Sequence, residues 1–189
     1  MRIACSLGSL LSVEEVLQCT EIASKTGIDS IWIPETWGME NFSMLGAVAN
    51  NTETQKIGSS IINIYSRSPS TIAMGSATTD TLSNGRLILG LGTSSVPIVE
   101  DFHGEKFENP VQRMREYVEI IRLSLAKKQI NYSGKIFDLK NFTLLIDPKR
   151  QLIPIYLAAI NQKMVNLCWE IADGVIFYLR PIDEMKKTI

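Results

Sequence analysis

Residues 27–38 read GIDSIWIPETWG. A helix-stopping glycine leads into a short apolar run, Ile31-Trp32-Ile33, which changes abruptly to Pro34-Glu35-Thr36-Trp37-Gly38. The run has the length and side-chain character of a buried strand. A carboxylate, a hydroxyl and an indole gather at its end. From these residues alone the end reads either as a solvent-facing loop or as the lip of a pocket.

The same β-then-α grammar extends in both directions. Upstream, Ile3-Ala4-Cys5-Ser6-Leu7 reads as a strand. Ser12-Val13-Glu14-Glu15 then forms a capping box for a helix that carries Val16, Cys19 and Ala23 and stops at Gly27. Downstream, residues 43–50 predict a short helix, 56–64 an isoleucine-rich strand, and Pro69-Ser70 opens a helix ended by Asn84-Gly85. Residues 86–92 give a fourth strand, and Pro110 starts a long amphipathic helix marked by Val111, Met114, Tyr117, Val118, Ile121 and Leu125. Residues 130–145 interrupt the alternation with a hairpin pattern around Ser133-Gly134. Strand five follows at 153–158, a helix at 162–171, strand six at 174–178, and a further helix begins at Pro181.

Strands that are apolar almost throughout and alternate with helices predict a parallel sheet in an α/β fold. Two architectures satisfy this, a doubly wound sheet and a β/α barrel, and spacing does not separate them. Six strands fall short of the eight that close a barrel, which typically takes about 250 residues.

The chain has 189 residues, with 19 basic and 20 acidic side chains. That is enough to bury one core, read as a single domain over 1–189, and its charge balance recommends neither nucleic acid nor an anionic membrane as partner. Lys127-Lys128 and Lys186-Lys187 read as solvated surface. Cys5, Cys19 and Cys168 are scattered, which suggests reduced thiols and a cytoplasmic location. The first eleven residues are too short and mixed for a signal or membrane segment.

In either parallel fold, ligands collect where the strands end. Those ends are Ser6 to Ser9, Glu35 to Gly38, Asn63 to Arg67, Gly90 to Ser95, Ala158 to Asn161 and Phe177 to Arg180. They offer many hydrogen-bonding groups and few titrating ones. The single histidine, His103, lies far from any GxSxG serine and reads as structural or surface. One histidine and three separated cysteines supply no metal-ligand spacing, so no metal is expected. Gly90-Leu91-Gly92-Thr93-Ser94-Ser95 lacks the third glycine of a dinucleotide fingerprint and the lysine of a P-loop. Its small residues would still let backbone amides approach a ring or a phosphate.

Taken together, Ile31 to Gly38, Ser66-Arg67-Ser68-Pro69 and Ser83-Asn84-Gly85-Arg86-Leu87-Ile88-Leu89-Gly90-Leu91-Gly92-Thr93-Ser94 resemble the bacterial luciferase-like superfamily. Val99 to Gly104, Arg113 to Arg122 and Ile153 to Met164 are similar to its deazaflavin-dependent branch, which includes methylenetetrahydromethanopterin reductase. The resemblance implies a TIM-type barrel, here with about six of eight units and a hairpin inserted before strand five. It implies hydride transfer to or from a small organic substrate with coenzyme F-420, or alternatively FMN. It also implies a non-prolyl cis peptide at Ser60-Ile61, although Ser60 stands where the branch often has glycine.

By the same resemblance the ring would meet Glu35, Thr36, Trp37, Ser60 and Ile61, with Ser6 at the first strand end. Gly92, Thr93 and Ser94 would edge the pocket, and Ala158, Ala159, Ile160 and Lys163 would approach a phosphate tail. Glu35 would be the candidate catalytic group, as a polar contact to the ring edge or a proton relay. The missing units imply a fragment, the product of a split or truncated gene, or a subunit completed as a homo-oligomer or by another chain. The alternative is a noncatalytic remnant or cofactor-binding module that needs such a partner.

Overall fold

A computed structural model of the chain describes residues 2–8, 10–126, 129–178 and 180–188, with the side chains of Lys187 and Thr188 outside the description. The Lys127-Lys128 pair, and Ser9 and Leu179 of the predicted strand ends, therefore lie outside the described residues. The elements are β1 (Ala4–Ser6), α1 (Val13–Lys25), β2 (Ser30–Ile33), α2 (Asn41–Asn50), β3 (Lys56–Ser59), β4 (Ile62–Asn63) and α3 (Pro69–Leu82). They continue with β5 (Leu87–Gly92), a π-helical turn (Ile98–Phe102), α4 (Pro110–Ala126), β6 (Gln129–Ser133), β7 (Asp138–Thr143), β8 (Ile155–Ala158), α5 (Gln162–Ile171), β9 (Gly174–Ile176) and α6 (Ile182–Thr188).

The predicted capping box closes α1: the Glu15 amide donates to Ser12 Oγ at 3.2 Å, and the Ser12 amide donates to Glu15 Oε2 at 2.7 Å. Gly27 follows with φ +74, a conformation that glycine reaches without the Cβ penalty. α2 starts two residues before the predicted Ser43, because the Glu40 carboxylate caps it by accepting from the Phe42 and Ser43 amides. The predicted third strand is split into β3 and β4 by a cis peptide at Ser60-Ile61. A π-helical turn at Ile98–Phe102 stands between the predicted fourth strand and the helix started by Pro110.

All strands of the main sheet pair in parallel, in the order β1-β2-β3-β5-β8-β9, with β4 continuing the third strand beside β5. The order follows the chain without reversal. A doubly wound sheet reverses at a switch point and puts helices on both faces. Here α1 packs on α2, α2 on α3, α3 on α4 and α4 on α5, forming one continuous outer ring. The architecture is the barrel type, with six barrel strands among the described residues, one of them broken. The β6–β7 hairpin forms its own antiparallel pair between α4 and β8, where the sequence placed it.

Side-chain alternation divides the strands cleanly. Ile31, Ile33, Ile57, Leu87, Leu89, Leu91, Ile155 and Leu157 are fully buried against the helices. The opposite face carries Ser30, Trp32, Gly58, Ile88, Gly90, Gly92, Tyr156 and Ala158. Trp32 covers Gly58 so closely that a Cβ there would lie 2.5 Å from the indole, and its ring meets Tyr156 at 5.9 Å between centroids. Several of these inner residues remain partly accessible, because β1 and β9 each have a single neighbour among the described residues.

Candidate active site

β2 delivers Glu35 to the C-terminal rim, and Ser68, capping α3, holds Arg67 beside it. Arg67 Nη1 and Nη2 donate to Glu35 Oε2 and Oε1 at 2.6 and 2.5 Å, a forked pair. Arg67 Nη2 also reaches Glu40 Oε1 at 2.5 Å, and its guanidinium lies over the Phe42 ring at 5.6 Å. Glu35 Oε1 further accepts from the Asn41 amide at 3.1 Å. The Glu35 bond raises the Arg67 pKa above its ordinary value despite burial. Burial pushes Glu40 up, but the Ser43 and Phe42 contacts and the Arg67 charge hold it below the usual carboxylate value.

The carboxylate that sequence placed here as a catalytic candidate is therefore committed to the rim. Glu35 is 11% exposed and already accepts three hydrogen bonds, so its evident work is to tie the β2 loop to the β4 loop. Thr36 and Trp37 follow on the cavity side. Trp37 is 72% exposed and packs edge-on against Phe102 of the π-helical turn, 5.6 Å between centroids. Glu35, Thr36, Trp37, Ser66, Arg67 and His103 line a rim cavity of about 350 Å³. A larger cleft of about 620 Å³ lies at the opposite, N-terminal ends of the strands and is floored by Trp32, Ile88 and Tyr156.

The third strand builds the inner wall. The Ser60 amide donates to Ile33 O at 2.8 Å, which ties the residue before the cis bond to β2. Ser59 Oγ accepts from the Gly90 amide at 2.7 Å and donates to Gly90 O at 2.8 Å. Gly92 has no room for a side chain: a Cβ would lie 2.6 Å from Ile61 Cδ1 and 3.3 Å from Ala158 Cβ. Ile61, Gly92 and Ala158 are thus brought to one wall, with Ser60 adjoining Ile61 in the chain. Ser60 Oγ and Asn63 Nδ2 on that strand are buried without a hydrogen-bond partner.

The remaining predicted residues are placed less tightly. Thr93 and Ser94 are half-buried just beyond β5, with Ser94 at φ +57, and Ser6 is exposed at the end of β1. Ala159 is buried in the core, so only its backbone can face a ligand. Ile160 and Lys163 are exposed at the start of α5, whose first turn is capped internally by Asn161 Oδ1 accepting from the Met164 amide at 3.0 Å. That cap occupies one of the amides a phosphate would use. Sequence reasoning counted Asn63 to Arg67 among the strand ends where ligands collect but gave Arg67 and Asn63 no role of their own, and it read His103 as structural or surface. The partners of Glu35 and the neighbours of His103 are long-range, and no local pattern shows them.

The model of the luciferase-like monooxygenase family matches residues 1–189. The chain belongs to that family. A putative coenzyme F-420-dependent oxidoreductase of Mycobacterium tuberculosis is 35% identical over 170 residues, covering 82% of this chain and 49% of the relative. A 5,10-methylenetetrahydromethanopterin reductase of Archaeoglobus fulgidus is 37% identical over 157 residues, covering 82% of this chain and 46% of the relative. The luciferase-like chain thus spans about half the length of the curated relatives it matches. Among solved structures, the coenzyme F-420-dependent tetrahydromethanopterin reductase of Methanopyrus kandleri superposes with a TM-score of 0.86 at 24% identity, over 93% of this chain and 55% of the other. That likeness shows the barrel-type fold.

Proposed function

We propose that this luciferase-like chain forms part of an oxidoreductase that binds coenzyme F-420, with FMN as the alternative, and supports hydride transfer to or from a small organic substrate. The observation that carries the reading is the third strand. It runs beside a wall of Gly90, Gly92 and Ala158, and two unpaired polar atoms are left on it. A flat inner wall with unused hydrogen-bonding capacity fits a planar ring that carries polar atoms at its edge. The relative named for coenzyme F-420 at 35% identity supports the choice of cofactor class.

In this reading a deazaflavin or flavin, when bound, supplies the two-electron chemistry. The protein holds and screens it. Ser60, Ile61 and Gly92 form the wall, Thr93 and Ser94 edge it, and Trp37 with Phe102 shields the outer side from water. Glu35 keeps Thr36 and Trp37 in place through Arg67, a positioning task. Ala158, Ile160 and Lys163 are the proposed approach for a phosphate tail.

A second arrangement follows from the single-neighbour strands β1 and β9. Such edges carry unpaired amides and carbonyls. We propose that two further strands, from sequence continuous with this chain or from another chain, complete the barrel around the cofactor. Light scattering reads this, and a monodisperse monomer that binds cofactor would remove the need for a partner.

The binding test is a fluorescence titration with F-420 and FMN of the wild type and of Trp37→Ala. Saturable wild-type binding is expected, weakened about tenfold in the variant by loss of the aromatic cover. Because Trp37 is 72% exposed, the stability of the variant should stay within about 0.5 kcal/mol of wild type. A folded wild type that binds neither compound would overturn the reading.

A further inference from the structure

The β6–β7 hairpin adds no strand to the barrel sheet. It climbs α4 instead, in three steps. The Tyr132 hydroxyl donates to Glu119 Oε2 at 2.6 Å, the Lys135 and Phe137 amides of the turn donate to Glu116, and the Phe137 ring lies 5.4 Å from the Arg113 guanidinium carbon. Glu119, Glu116 and Arg113 follow at intervals of three, so they share one face of the helix. α4 starts on the rim side, because the chain enters it from the C-terminal end of β5. The hairpin tip therefore points at the rim.

At that tip, side chains from four segments form a box. Arg113 lies over the Tyr65 ring at 4.5 Å, and Tyr65 stacks on Phe107 at 5.3 Å. Phe137 meets Tyr117 edge-on at 5.2 Å. Arg113 Nε is buried without a hydrogen-bond partner, so ring faces rather than acceptors hold that side of the guanidinium. Two hydroxyls reach out of the box to the backbone of rim loops: Tyr65 donates to Glu108 O at 2.9 Å and Tyr117 to Arg67 O at 2.6 Å. Burial pushes the Tyr117 pKa up to about 12, so the hydroxyl remains a donor at any working pH.

Arg67 is the residue on which the rim depends. Its guanidinium forks onto Glu35, two positions before Trp37, and reaches Glu40 at the start of α2. A guanidinium holds that geometry only from a fixed backbone, and the Tyr117 bond supplies one fixed point. Three contacts thus join the hairpin to the loop that carries Trp37: Phe137 with Tyr117, Tyr117 with Arg67, and Arg67 with Glu35.

We propose that the hairpin braces the rim and that Tyr117 is its positioning residue, holding Arg67 so that the Glu35 loop presents Trp37 to a ligand. Tyr117 is 1% exposed and touches no ligand itself. The consequence for ligand affinity rests on the cofactor reading above, whereas the consequence for the free chain does not.

The test is Tyr117→Phe, which keeps the ring in the box and removes one hydroxyl. Its Tm should fall by only about 2–4 °C, the loss of one hydrogen bond. The three tryptophans give three indole signals in a nitrogen-15 NMR spectrum, and the Trp37 signal is the one missing from Trp37→Ala. In Tyr117→Phe that signal should move, while Trp32, bonded to Ser30 Oγ on the inner strand face, and Trp169, on α5, keep theirs. Affinity for F-420 or FMN, by fluorescence titration, should weaken up to about fivefold. In the Trp37→Ala background the same substitution should change affinity by less than about twofold, because Tyr117 acts through Trp37.

A Trp37 signal that stays in place, or three indole signals that move together, would overturn the assignment, as would equal weakening in both backgrounds. A wild type that binds neither F-420 nor FMN removes the cofactor reading alone, and the indole signals still decide the brace. Should Tyr117→Phe not fold, Phe137→Leu loosens Tyr117 from the hairpin side and is held to the same indole criterion.

Discussion

Glu116→Gln probes how the hairpin is held against the barrel. Glu116 lies in the middle of α4 and is 1% exposed. Its Oε1 accepts from Gln112 Nε2 at 2.8 Å and from the Lys135 amide at 2.8 Å, and its Oε2 accepts from the Phe137 amide at 3.0 Å. The Ile136 amide lies between the two oxygens at 3.2 and 3.1 Å. One buried charge thus organises the whole turn between β6 and β7. Glutamine retains one acceptor and turns an NH2 group toward amides that also donate. The loss is about one charge-assisted bond, roughly 1.5–3 kcal/mol, plus an unpaired amide at roughly 1–3 kcal/mol. Because the Ile136 amide can keep its other oxygen, the lower half applies, about 3 kcal/mol in total. In a chain of this length that lowers Tm by about 6–12 °C.

The pH dependence adds a second signature. Burial pushes the Glu116 pKa up, but the bonds from Gln112 and from the Phe137, Ile136 and Lys135 amides more than reverse this and hold it below the ordinary value. A depressed folded pKa means that the stabilisation is complete above the unfolded value of about 4.3 and is lost as pH falls through the folded pKa. The difference between wild type and Glu116→Gln should therefore be full at neutral pH and shrink below about pH 4. Thermal melts by circular dichroism and hydrogen exchange at Lys135, Ile136 and Phe137 measure both effects. A variant that melts within 1 °C of wild type, with unchanged exchange at those amides, would refute the reasoning. The consequence for the site runs through Phe137, which packs edge-on to Tyr117 at 5.2 Å, while the Tyr117 hydroxyl donates to Arg67 O at 2.6 Å.

Two other substitutions test the frame of the rim. Arg86→Met removes a guanidinium that donates to Ser83 O, Ala49 O, Thr52 O, Gln55 O and Thr52 Oγ1. Leaving those acceptors unpaired should cost about 3–5 kcal/mol in urea unfolding, and a loss under 1 kcal/mol would contradict the assignment. Gly90→Ala sets a Cβ 1.9 Å from Ser59 O, so β3 and β5 must part. Low soluble yield, or a destabilisation of at least about 3 kcal/mol, is expected, and a stable variant would show that the wall yields more easily than a packed interior should.

Much of the local structure was legible because its causes are local. Ser12 with Glu15, Pro69 after Ser68, and Asn84-Gly85 mark helix ends through bonds that span a few residues. The hairpin was legible for the same reason. The start of α2 was missed because Glu40 acts as its cap, a residue type that the usual capping preferences rank below serine or aspartate. The cis bond at Ser60-Ile61 was implied by family resemblance, whereas the split of the predicted 56–64 strand into two was not foreseen, since no propensity in Ser60 or Ile61 encodes it.

By itself, then, the sequence determined the succession of strands and helices, most of their ends, and the rim position of Glu35, Thr36 and Trp37. Periodicity and capping report burial and hydrogen bonding over one or two turns. Periodicity and spacing left a barrel and a doubly wound sheet open and family resemblance pointed to the barrel; the tertiary structure supplies the physical reason, which lies in strand neighbours such as Leu89 and Ile155, far apart in the chain. It alone paired Glu35 with Arg67, brought His103 beside Trp37, and left Asn63 with an unused donor. Such facts depend on which groups meet after the chain has closed on itself, and a charge or an amide does not carry its partner in its own neighbourhood.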